Sequence, residues 1–234
     1  HEVCDPEWFY AGGQHAHSYQ RLLNGINDGL SLACVTGPVG LGKTMLLRTL
    51  ANHLNPTHTT VAQVVALSRM SPAGLLKSIL HSVGFRIQIV EKRFASSDLF
   101  RVLENHSEEQ LAAGRQLVVL IDEAHLLAPE ALKTIKSISC LESSDRKLAI
   151  CLLFGEPSLA TRLNHETFAS LKSRLYIEET LQPLCEGEVR QYIAHRLRVA
   201  GFHPSLFNEE QLQQLAQQGQ GVCREINKLA YHLY

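Results

Sequence analysis

The chain has 234 residues, enough for one large domain or for a domain with a small appendage. Apolar residues make up 45% of it, so a packed core is within reach. A formal net charge of −1 excludes a global electrostatic pull toward nucleic acid or anionic membrane.

Residues 15–29 lead into Leu30 with Tyr19, Leu22, Leu23, Ile26 and Leu30 at helical spacing. The apolar run 30–35 reads as a strand. Gly37-Pro38-Val39-Gly40-Leu41-Gly42-Lys43-Thr44 follows and fits the P-loop pattern of a glycine, four free residues, then Gly-Lys-Thr. A helix beginning near Met45 runs to about Leu54. Thr59 to Leu67, rich in Val and Thr, is a second strand. Ser71-Pro72 starts a helix ending near Gly84, with serine as N-cap and proline at the first position. Ser96-Ser97-Asp98 caps another helix, to about Gly114. Leu117 to Ile121 is a strand buried on both faces, ending in Asp122-Glu123. Leu132, Ile135, Ile138 and Leu141 recur at helical spacing after Pro129. Lys147 to Phe154 is a further strand, short helices fill 157–173, and Leu175 to Thr180 is the last strand. Three helical patterns follow from about Gln182.

Strands alternating with helices predict an α/β fold: a P-loop NTPase, its parallel sheet sandwiched by helices, with a small C-terminal helical lid. The division expected is a core over 1–181 and a lid over 182–234. The chain opens on His1 rather than Met and ends inside a helical pattern, so a piece of a longer protein with a truncated lid is expected.

Each residue type in the loop has a chemical use. Gly37, Pro38, Val39, Gly40, Leu41 and Gly42 turn the backbone so that its N–H groups face phosphate oxygens. Lys43 brings a positive charge to the β- and γ-phosphates, and Met45 continues the N-terminal turn of the helix that receives them. Thr44 offers a hydroxyl to Mg²⁺, and Asp122, at the carboxyl end of a buried strand, offers a carboxylate to the same ion. Glu123 is placed to act as general base on water. ATP and Mg²⁺ are the cofactors this pattern implies.

Six cysteines, Cys4, Cys34, Cys140, Cys151, Cys185 and Cys223, form no Cys-x-x-Cys pair, so neither a disulfide framework nor a zinc site is expected. Cys34 and Cys151 lie in strand patterns as small core residues. His15, His17, His53 and His58 lack metal-ligand spacing. Lys92-Arg93 and the basic run from Arg190 to Arg198 read as solvated faces. No window reaches the roughly 18 apolar residues of a membrane span, and no signal peptide is visible.

The order of motifs resembles the AAA+ ATPases. The blocks Asp5-Pro6-Glu7-Trp8-Phe9-Tyr10, GPVGLGKT, Ile121-Asp122-Glu123-Ala124-His125-Leu126-Leu127, Phe154-Gly155-Glu156-Pro157-Ser158-Leu159 and Gly221-Val222-Cys223-Arg224-Glu225-Ile226-Asn227 resemble the ATPase domain of the GspA/ExeA secretion ATPases, a family that includes MshM-like pilus-biogenesis ATPases. The resemblance implies an arginine finger at Arg174 acting on a neighbouring subunit's γ-phosphate. It also implies a lid arginine at Arg224 that contacts nucleotide. Tyr10 is expected to pack beside Trp8 and Phe9 rather than against adenine. Glu156 and His125 depart from this family's usual glutamines.

The expected function is Mg-dependent ATP hydrolysis by a homo-oligomer with subunit-interface sites. It would drive or regulate assembly of a bacterial envelope machine, a type II secretion system or an MSHA-type pilus. An inner-membrane or envelope assembly protein is the expected partner, and the cytoplasmic face of the inner membrane the expected place. The alternative is a DNA-associated AAA+ regulator of transposition, of the MuB/TnsC kind, assembling on duplex DNA.

Overall fold

A computed structural model describes residues 5–85, 95–144 and 146–234. Cys4 and Lys92-Arg93 lie outside the described residues. Five strands, β1 (Leu32–Thr36), β2 (Thr59–Val65), β3 (Gln116–Asp122), β4 (Ala149–Gly155) and β5 (Leu175–Thr180), form one parallel sheet in the order β2-β3-β4-β1-β5. The helices are α1 (Gly13–Asn27), α2 (Lys43–His53), α3 (Pro72–Ser82), α4 (Ser96–Ala112), α5 (Pro129–Ser139), α6 (Pro157–Leu163), α7 (Ala169–Lys172), α8 (Glu186–Val199), α9 (Glu209–Gly219) and α10 (Cys223–Leu233).

β1 and β4 are buried along their whole length, which only a sheet covered on both faces allows. Their side chains split with period two. Leu32, Cys34, Val119, Ile121, Cys151 and Leu153 meet α3, α4 and α5, where Leu76, Ile79, Leu103, Leu132 and Ile135 are fully buried or nearly so. Ala33, Val35, Val118, Leu120, Leu152 and Phe154 meet Leu22 of α1 and Leu46 and Leu50 of α2. Burial pushes the Cys34 and Cys151 thiols up to about 12, so both behave as inert core residues. A third cluster, with Val189, Ile193, Leu215 and Ile226, is made by α8, α9 and α10.

Three local expectations change. β2 stops at Val65, and Leu67 beyond it is 67% exposed, so an apolar residue there marks the surface. Ser71 caps α3 by accepting from the Gly74 N–H, whereas α4 is preceded by Ala95, whose side chain makes no capping bond, and Ser96 lies inside the helix. Tyr10 leaves Phe9 in the core and packs against the α8–α10 cluster instead.

The register decides where chemistry can happen. Thr36 aligns with Gly155 on one side and Thr180 on the other. Asp122 ends β3 on the same edge. β1 sits between β4 and β5, so the chain leaves it in one direction and returns on both sides. That switch point, at the carboxyl ends of the strands, is where open α/β sheets bind ligands.

Candidate active site

The loop after β1 is held from several directions. Gly40 and Gly42 have φ of +87° and +89°, a region an L side chain enters at about 1–2 kcal/mol. Leu41 is fully buried beneath the loop, Val39 points outward, and Met45 is half-buried against the α1–α2 side of the core. His15 Nε2 lies 2.7 Å from the Leu41 carbonyl. A carbonyl only accepts, so Nε2 carries the proton, leaving His15 Nδ1 buried without a hydrogen-bond partner among the described residues.

Lys43 opens α2 and is 7% exposed. Its ammonium donates to the carbonyls of Gly37 at 2.7 Å and Pro38 at 2.8 Å. Burial pushes its pKa down, an effect opposed by Glu123, Glu156 and Asp122 and reinforced by Arg224. Thr44 Oγ1 donates to Asp122 Oδ2 at 2.7 Å, which joins the P-loop to the end of β3. Asp122 Oδ1 accepts the Glu123 N–H at 2.9 Å. Two hard oxygen donors therefore meet beside a cationic loop, a donor set that suits Mg²⁺.

Glu123 adopts φ +53°, a left-handed conformation rare outside glycine, and its side chain is 40% exposed. Strain of this kind clusters at functional sites. The turn carries His125 back across the sheet edge toward Glu156, the residue between β4 and α6. Arg162 of α6 donates to the carbonyls of His125 at 2.7 Å and Leu127 at 2.9 Å, tying that turn down.

The α8–α10 cluster closes the site from above. The Arg224 N–H donates to the Gly40 carbonyl at 3.1 Å. The Arg196 guanidinium lies 4.4 Å from the Trp8 ring centroid, and Tyr10 Oη donates to Gln191 at 2.8 Å. The basic run of α8 is thus divided: Arg190 pairs with Glu186 and Glu209, while Arg196 faces the aromatic N-terminal segment. Between these parts lies a cleft of about 900 Å³, lined by Trp8, Tyr10, Lys43, Glu123, Glu156 and Arg224 among others. Its volume falls in the range of small-molecule sites.

The structure brings together the P-loop, Lys43, Thr44, Asp122, Glu123 and Arg224. Arg174 stands elsewhere. It precedes β5, next to Ser31, at the opposite edge of the sheet. A five-residue strand puts it about 16 Å along the sheet from the P-loop. Sequence reading missed His15 and Arg162. Both act on backbone carbonyls far away in the chain, and no local pattern signals such bonds.

The parallel sheet, the loop after β1 and the acidic pair after β3 define a P-loop ATPase. A family model described as "AAA domain" matches residues 26–163, and the chain belongs to that family. The chain is 31% identical over 224 residues to general secretion pathway protein A of Aeromonas hydrophila, in agreement with the resemblance read from the motifs. The match covers 95% of this chain and 40% of that protein. Among solved structures, the ORC2 protein of Aeropyrum pernix, in ADPNP–ADP complexes, has a TM-score of 0.71 at 18% identity, over 92% of this chain and 60% of that one. Cdc6p of Pyrobaculum aerophilum has 0.68 at 19%, over 96% and 63%. At such identities the likeness speaks for the fold. Among the described residues no helix is long and apolar enough to cross a membrane.

Proposed function

We propose that this ATPase works as a homo-oligomer and serves the assembly of a bacterial envelope machine, a type II secretion system or an MSHA-type pilus, at the cytoplasmic face of the inner membrane. The observation that carries the site is the convergence of Lys43, the Thr44–Asp122 pair and Glu123 at one sheet edge. Similarity to a protein named for the general secretion pathway supports the setting.

In this reading the backbone N–H groups of the loop from Val39 to Gly42, with Gly37 and Pro38 shaping its turn, and the N-terminal turn through Met45 cradle the phosphates, and Lys43 exchanges its loop carbonyls for phosphate oxygens. Thr44 and Asp122 hold Mg²⁺, which when bound neutralises phosphate charge. Glu123 takes the proton of the attacking water. Residues 1–181 form the ATPase core, and 182–234 a lid that brings Arg224 over the nucleotide. Arg174 is too far from its own P-loop to serve it, so it acts on a neighbour.

Activity per subunit should therefore rise with protein concentration. Arg174→Ala should lose it, and mixing that variant with Lys43→Ala should restore part of it, because one mixed interface combines an intact P-loop with an intact arginine. Specific activity independent of dilution, or mixtures with no recovery, would overturn the trans assignment. Strong stimulation by duplex DNA, suppressed by salt, would favour the transposition-regulator reading.

A further inference from the structure

His125 occupies a position that the proposed roles leave unused. Its side chain is 13% exposed, between two carboxylates that are each more than a third exposed. Nδ1 accepts a long 3.4 Å hydrogen bond from the Glu156 N–H and lies 3.4 Å from Glu123 Oε2. Nε2 faces Glu156 Oε1 at 3.6 Å. In the neutral ring that this amide selects, Nδ1 is bare and Nε2 carries the proton. Both nitrogens then face Glu156, one its backbone and one its carboxylate, while Glu123 stands beside the bare nitrogen.

Glu156 poses an electrostatic problem. It lines the same cleft as Lys43 and Thr44, so its carboxylate borders the ground where terminal phosphate charge would come. A carboxylate there repels a triphosphate more than a diphosphate, because the γ-phosphate adds charge at the near end. Something must hold that side chain off. Arg162 spends both terminal nitrogens on carbonyls of the His125 turn, and Lys43 donates to its own loop.

We propose that His125 is a positioning residue that restrains Glu156 away from the γ-phosphate. The inference rests on the nucleotide reading of this cleft. The neighbouring backbone supports it. Arg162 anchors the His125 carbonyl from α6, so the ring is held relative to the very helix that Glu156 precedes. The left-handed turn at Glu123 returns the chain so that positions 123, 125 and 156 meet.

The test is a double-mutant cycle on the whole chain, with a slowly hydrolysed ATP analogue and ADP as probes and kcat and KM measured separately. Releasing Glu156 toward the γ-phosphate should weaken the analogue about tenfold in His125→Ala, the scale of one partly screened charge contact, and leave ADP within about twofold. Glu156→Gln alone should shift the analogue no more than about twofold, since the carboxylate is already restrained. In the double variant the analogue should return to within about twofold of wild type, because the released carboxylate is gone. His125→Gln keeps a donor and an acceptor at similar reach and should preserve the ratio of analogue to ADP affinity.

Additive effects across the cycle would overturn the proposal. So would equal weakening of ADP and analogue in His125→Ala, the pattern of a merely structural residue. If His125→Ala does not fold, loss of the affinity ratio in His125→Gln, or a Glu156→Gln effect beyond about fivefold in the wild-type background, would overturn it as well. A wild-type chain that binds neither probe would instead overturn the nucleotide reading itself.

Discussion

The turn that carries Arg224 to Gly40 is held by the backbone of Gly221 against Leu184, and Gly221→Ala tests how far the seat of the α8–α10 cluster on the P-loop depends on it. Gly221 has φ +71°, and a Cβ added there would lie 2.2 Å from the Leu184 carbonyl oxygen and 2.7 Å from the Leu184 nitrogen. Both atoms are backbone, so no side chain can swing aside. The contact must open by about 0.8 Å to reach even the 3.0 Å limit of real Cβ contacts. Opening it breaks the 2.9 Å bond from the Leu184 N–H to the Gly221 carbonyl. The left-handed conformation costs about 1–2 kcal/mol for alanine and the lost bond about 1 more, so the seat weakens by about 2–3 kcal/mol. Arg224, three residues on, loses its hold on Gly40. If binding needs the seated helices, ADP affinity should fall by between about thirtyfold and about 150-fold. The sheet, whose core lies in other clusters, should stay folded. Calorimetry gives the affinity. Trp8, the chain's single tryptophan, sits against Arg196 and reports the seat by its fluorescence. Gly114→Ala is the control, with φ +77° but open space around the new Cβ. It should lower stability without touching affinity. ADP affinity within about twofold of wild type in Gly221→Ala, with unchanged Trp8 emission, would refute the argument.

Two further outcomes are expected. Glu123→Gln keeps the shape of the side chain and removes its basicity, so hydrolysis should fall by about 10²–10⁴-fold with analogue binding intact. Normal turnover would end the assignment of Glu123. On stability, burial of His106 against Phe85 pushes its pKa down, with Glu109 opposing and Arg115 reinforcing. The unfolded chain takes a proton near pH 6.5 while the folded chain resists it, so this contribution is intact above 6.5 and is lost as pH falls through the window below. His106→Gln should show a smaller loss of melting temperature between pH 7 and pH 5.5 than wild type, about those reference points. An equal or larger loss would contradict the sign.

Much of the fold was legible because buried parallel strands advertise themselves. β1, β3 and β4 are unbroken apolar runs, and a strand covered on both faces has no polar positions to interrupt the pattern. Proline at the first position marks the starts of α3, α5 and α6 in the same way. Strand order was not legible, since pairing joins residues more than a hundred positions apart, as Val35 and Phe154 show. Edges also misled. Leu67 looks like strand interior yet faces solvent, because apolar type alone does not distinguish a sheet edge from its centre. At the site, the P-loop and acidic pair were visible as motifs. The bonds that hold them, from His15 to Leu41 and from Arg162 to His125 and Leu127, were not.

The charges around Lys43 explain why these parts belong together. Three carboxylates and one guanidinium, those of Asp122, Glu123, Glu156 and Arg224, act on its ammonium. Carboxylates thus outnumber the two cations at the end of the cleft where phosphates would lie. A triphosphate brought there alone meets repulsion that loop amides and Lys43 do not fully offset. A divalent cation held by Thr44 and Asp122 would remove part of it. The ring of His125 restrains a second carboxylate, and an arginine from a neighbouring subunit would meet charge developing on the third side. On that proposal a lone subunit lacks the neighbour's arginine and keeps more uncompensated negative charge at this end of the cleft. On the proposed trans role of Arg174, turnover is then expected to depend on assembly for electrostatic reasons alone.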